Sequence, residues 1–76
     1  MLNSIDVCVG ANLRLWRLAS GHDIATLAAS AGICHDLWTK WEDGDARLSA
    51  TDMYRLKSTL DINPSQLFAG LVTHAD

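Results

Sequence analysis

Apolar residues recur along this chain at helical spacing in short stretches, each opened by a helix-capping residue, closed by a glycine, or both. Such a pattern folds as short helices packed on one another, because isolated helices under ~12–15 residues are marginal in water. From about Asp6, the positions Val9, Leu13 and Trp16 share one helical face and Gly21 follows as a stop. Asp23 is the N-cap of a second helix whose Leu27, Ala28 and Ala31 face inward before Gly32 ends it. A tight turn, Gly32-Ile33-Cys34, leads into a third helix carrying Trp38 and Trp41 and closed by Gly44. After the loop Asp43-Gly44-Asp45-Ala46-Arg47, Ser49 with Asp52 forms a capping box for a fourth helix bearing Met53, Leu56 and Leu60. Asn63 as N-cap, Pro64 at the first position and Gln66 at the third start a fifth, with Leu67 and Phe68 inside it and Gly70 as its stop. No segment alternates with period two, so the expected class is all-α, five short helices without strands.

At 76 residues the chain has room for one domain, residues 1–76, with a core from about Asp6 to Gly70 and a frayed tail from Leu71 to Asp76. The 49% hydrophobic and 20% charged shares are wrong for a disordered tail. Apolar runs fall far below the ~20 residues that span a bilayer, and no basic segment followed by an apolar one opens the chain, so a cytoplasmic protein is expected. Cys8 and Cys34 are too few for a disulfide framework and form no CxxC pair, and His22, His35 and Cys34 make a poor metal set. No nucleophile–base pair, metal cluster or phosphate loop can be assembled, so neither an enzyme nor a cofactor is expected.

Two short helices joined by a glycine-containing turn, held between an amphipathic first helix and two later ones, make a helix-turn-helix core. Within that frame stand Val9-Gly10-Ala11-Asn12-Leu13-Arg14-Leu15-Trp16-Arg17, Leu27-Ala28, Gly32-Ile33, Trp41-Glu42-Asp43-Gly44, Ser49, Leu56, Leu60 and Ile62-Asn63-Pro64-Ser65-Gln66-Leu67-Phe68. The chain resembles the Cro/C1-type helix-turn-helix family, also called XRE, which includes small antiactivators and antirepressors. The resemblance implies a lambda-repressor-like fold and an internal ion pair between Arg17 and Glu42 tying the first helix to the end of the third. It implies that the third helix is the recognition helix, with His35, Asp36 and Lys40 at base-contacting positions and Leu37 able to meet a thymine methyl. Thr39 and Arg47 complete that face. The residue opening the second helix, commonly a glutamine that reaches a phosphate, is here Ile24.

Charge argues against a phosphate-binding surface. Between residues 21 and 47, Lys40 and Arg47 face Asp23, Asp36, Glu42, Asp43 and Asp45, a net of −3 that equals the charge of the whole chain. Duplex DNA carries one negative charge per ~1.7 Å, and a binder commonly neutralises ~6–10 phosphates. Asp23 would fill the helix N-terminus that otherwise attracts a phosphate, and Asp36 does the same at the start of the third helix. Ile24 and Leu37 are expected to expose apolar surface on this face. A second stripe on the first helix, Cys8, Ala11, Leu15 and Leu18, offers either another interface, through which the chain could form a homodimer, or a seat for Leu71 and Val72. Acid-rimmed apolar surface suits a protein partner. The expected function is therefore a transcription regulator that contacts another transcription factor. The alternative is a DNA-binding repressor or controller that inserts the third helix in a major groove.

Overall fold

Among the described residues, side chains cap three of five helices, each at the residue expected for it. The computed structural model describes residues 4–68, in which the helices are α1 (Ser4–Ser20), α2 (Ile24–Ala31), α3 (His35–Asp43), α4 (Ala50–Leu60) and α5 (Pro64–Leu67). Asp23 Oδ1 accepts the Thr26 N–H at 2.8 Å. Ser49 with Asp52, and Asn63 with Gln66, form reciprocal capping boxes. Cys34 precedes α3 without a side-chain cap.

The boundaries of α1 and α5 depart from expectation, and α4 has a stop for which none was named. α1 begins at Ser4, before Asp6. α4 is stopped by Asp61 in the left-handed region, φ 57°, where no glycine stands. Its carboxylate meets Lys57 Nζ at 2.9 Å, and an Asp tolerates this backbone better than a bulkier residue. α5 ends at Leu67, capped by Phe68, so the expected stop at Gly70 and the tail from Leu71 lie outside the described residues.

α1 packs against α3 and α5, and α2 against α3 and α4. Trp38 and Trp41 sit at the centre with ring centroids 6.0 Å apart, surrounded by Leu13, Leu27, Leu56, Ile62 and Leu67, all essentially inaccessible. Trp16, expected in the core with them, is only half-buried and lies against its margin. α1 approaches α3 most closely at Gly10. A Cβ there would collide with the Trp41 carbonyl oxygen and come within 2.9 Å of the Glu42 carbonyl oxygen. Two residues farther along α1, Asn12 Nδ2 donates to the Leu67 carbonyl at 2.7 Å and fastens α5 to α1. Among the described residues no helix is long and apolar enough to cross a membrane.

Candidate recognition face

The turn between α2 and α3 is set by Gly32 at φ 70°, whose N–H reaches back to the Ala28 and Ala29 carbonyls. Ile33 donates to the Ala28 carbonyl at 2.8 Å while its side chain is buried, so the turn is pinned from inside. α3 then turns Trp38 and Trp41 inward, which leaves His35, Asp36 and Lys40 exposed on its outer side. Thr39 is half-buried, and its hydroxyl donates to the His35 carbonyl at 3.0 Å within the same helix.

Ile24 and Leu37 differ from expectation, since both are half-buried and packed against the core. The spacing carries the reason. Ile24 stands at i with Leu27, Ala28 and Ala31 at i+3, i+4 and i+7, so it heads the stripe that α2 buries. Leu37 lies four residues before Trp41 and shares its flank. The exposed part of the face is therefore polar and acidic, with little apolar centre. Leu37→Glu is expected to lower folding stability by about 1–3 kcal/mol, because the carboxylate displaces apolar contact and loses water without gaining a partner. Urea denaturation measures this, and a loss of only ~0.5 kcal/mol, usual for a surface site, would place Leu37 in solvent after all.

The Arg17–Glu42 pair forms beneath this face. Arg17 Nε and Nη2 donate to Glu42 Oε2 and Oε1 at 2.6 and 2.9 Å, with the two side chains 14% and 6% exposed. Trp38 Nε1 donates to the same Glu42 Oε2 at 2.7 Å, so one carboxylate joins α1 to two positions of α3. Hydrogen bonding to Glu42 holds the Arg17 guanidinium above its ordinary pKa; desolvation works against this, and the charges of Glu42 and Asp23 support it.

The remaining charges leave few cations free. Arg47 Nε bonds Asp6 Oδ1 at 2.9 Å, which draws it toward the start of α1. Among the described residues between 21 and 47, Lys40 is the cation without a carboxylate partner, and Asp23, Asp36, Asp43 and Asp45 are all exposed. Nothing local announces the Arg47–Asp6 contact, whose partners are 41 residues apart. The Trp38–Glu42 bond does have a readable signal in its i, i+4 spacing. On α1, Leu15 and Leu18 are 64% and 56% exposed, and Leu71 and Val72, their expected cover under one of the two readings, lie outside the described residues. No group of three His, Cys, Asp or Glu among the described residues could hold a metal ion.

The hydrogen bonds from the Thr26 side chain and backbone N–H hold the Asp23 carboxyl below its ordinary pKa. A carboxyl with a lowered folded pKa contributes stability that is present above its unfolded value and lost as pH falls through the folded one. Asp23→Ala is expected to be less stable than the parent at pH 7, with the difference closing below roughly pH 4. Thermal melts of the two proteins across that range test this, and a difference that persists at pH 2 would assign the effect to helix propensity instead.

No protein-family model matches the sequence, and no curated protein gives a significant match. Among solved structures, the chain is similar to the restriction-modification controller protein C.AhdI from Aeromonas hydrophila. The identity is 32% with a TM-score of 0.79, over 87% of this chain and 100% of that one. With the glycine-pinned turn, the outward-facing α3 and the Arg17–Glu42 link all in place, this protein belongs to the Cro/C1-type helix-turn-helix family.

Proposed function

We propose that this protein is a small transcription regulator that acts by contact with another transcription factor. One observation carries the reading: between residues 21 and 47, the single unpaired lysine, Lys40, is set against four exposed carboxylates, Asp23, Asp36, Asp43 and Asp45. Phosphate binding requires the opposite balance, and the α2 N-terminus, where a phosphate would otherwise gather N–H groups, is occupied by the Asp23 cap. An acidic face of this kind complements a basic surface, and a DNA-binding partner supplies one. Occupying that surface would keep the partner from its DNA.

A second reading is favoured by a different observation. The similarity to a restriction-modification controller protein and the outward display of His35 and Lys40 on α3 suit base contact in a major groove. Salt separates the two. Under the protein-contact reading, duplex affinity is weak and falls by no more than about tenfold between ~50 and ~200 mM salt, because only one or two phosphates are neutralised. An electrophoretic titration with genomic fragments measures it. A fall of ~10³-fold, equivalent to six or more phosphates, would overturn protein contact in favour of DNA binding.

A further inference from the structure

The outward side of α1 carries an apolar stripe. Cys8, Ala11, Leu15 and Leu18 follow one another at intervals of three, four and three, the spacing of one side of a two-helix seam. Val9, Gly10 and Leu13 are buried on the opposite side of the helix, where α3 and α5 pack. Leu15 and Leu18 are mostly exposed, Ala11 is exposed and Cys8 is half-buried. The stripe holds no charge, and Arg14 stands beside it.

The order of side chains along the stripe selects its occupant. The small ones, Cys8 and Ala11, stand toward the N-terminal end of α1, and the large ones, Leu15 and Leu18, toward the C-terminal end. Laid antiparallel on a second copy, the stripe sets Leu15 against the partner's Ala11 and Leu18 against the partner's Cys8, both pairs centred on position 13. Every large side chain then meets a small one, and the helix axes stay evenly spaced. Parallel pairing would set leucine on leucine at one end and cysteine on cysteine at the other, so close packing at one end would leave a gap at the other. Antiparallel pairing also places the positive N-terminal end of each α1 beside the negative C-terminal end of its copy.

We infer that α1 docks on α1 of a second copy of this chain, antiparallel across a two-fold axis level with position 13. From Cys8 to Leu18 the stripe runs for about 15 Å of helix. Two strips of that length bury less than the ~1,200 Å² where stable interfaces begin, so the dimer is weak and concentration-dependent. Because α3 packs on the other side of α1, the pairing does not depend on what the recognition face contacts.

Sedimentation equilibrium of the full chain from ~10 µM to ~1 mM, the affinities of small interfaces, should show reversible exchange between monomer and dimer. Leu15→Glu, at an exposed position, should keep the fold. It should raise the dissociation constant at least ~30-fold, since each dimer would bury two carboxylates without counter-charges. Oxidation locates the contact. In a Cys34→Ser background, Leu18→Cys should give a covalent dimer between Cys8 of one copy and the introduced thiol of the other. Within one chain those positions lie about 15 Å apart along the helix, too far for a disulfide. The Cys34→Ser chain alone should not cross-link, because antiparallel pairing separates the two copies of Cys8 by the same distance. A chain that stays monomeric at ~1 mM overturns the proposal, as does a dimer that survives Leu15→Glu or gives no cross-link with Leu18→Cys. A bridge between two copies of Cys8 means parallel pairing and overturns it too. If association appears only when Leu71 and Val72 are both replaced by serine, the tail is the occupant and the second copy is not. The salt slope of duplex affinity is read separately, so failure here and failure of the protein-contact reading are distinguishable.

Discussion

Glu42→Ala should cost about 3–5 kcal/mol of folding stability, the range for breaking a buried ion pair by removing one partner. The loss is large because Glu42 is the shared acceptor of the Arg17 guanidinium and the Trp38 indole N–H, so both donors are left desolvated and unpaired at once. Natural domains hold roughly 0.05–0.15 kcal/mol per residue, and for a chain of 76 residues such a loss consumes much of the total. At ~4–8 °C per kcal/mol for a domain of this size, the melting temperature should drop by more than ~10 °C. Circular dichroism melts read this directly. A variant melting within a few degrees of the parent would show that the pair is solvated and that α1 is held to α3 by apolar contact alone.

Gly10→Ala should also be strongly destabilising, although alanine is the better helix former by about 1 kcal/mol. The added methyl meets the carbonyl oxygens of Trp41 and Glu42, which belong to the backbone of α3 and cannot swing aside. α1 must lift from α3, loosening the contacts of Val9 and Leu13 and lengthening the Arg17–Glu42 bonds. Overpacking of this kind costs ~1–3 kcal/mol and occasionally more. With rigid backbone as the obstacle, a net loss of about 3 kcal/mol is expected. Urea titration of the variant measures it, and unchanged or raised stability would mean that propensity outweighs the clash and that the two helices have slack between them.

The helices were largely legible because their ends are local chemistry. Asp23, Ser49 with Asp52, and Asn63 with Gln66 bond N–H groups two or three residues away, and Gly32 and Gly44 adopt left-handed backbone at the ends of α2 and α3. Asp61 carries no comparable signal, since an aspartate at a helix end is ordinary and its positive φ goes with backbone bonds from its N–H and that of Ile62 to the last carbonyls of α4. Within the candidate site, the Arg17–Glu42 pair followed from family resemblance. The spacing of Ile24 and Leu37 is consistent with their half-burial, whereas their place on the recognition face alone points to solvent. The Arg47–Asp6 bond and the close approach at Gly10 depend on how α1 lies across the end of α3, which no local pattern records. The acidity of the face was plain from the charges alone. The structure sharpened it by pairing Arg47 elsewhere.

The contacts that hold α1 span long stretches of chain: 25 residues from Arg17 to Glu42, 41 from Asp6 to Arg47 and 55 from Asn12 to the Leu67 carbonyl. The helix made first during synthesis therefore has its last fastening made last. At ~5–20 residues per second, translation separates Asn12 from Leu67 by several seconds. Throughout that interval the face of α1 bearing Val9 and Leu13 has no α5 to close over its neighbours. The ordering entropy of the whole loop is recovered only when α5 arrives, so this small fold is expected to complete in a late closure rather than to grow from its N-terminus.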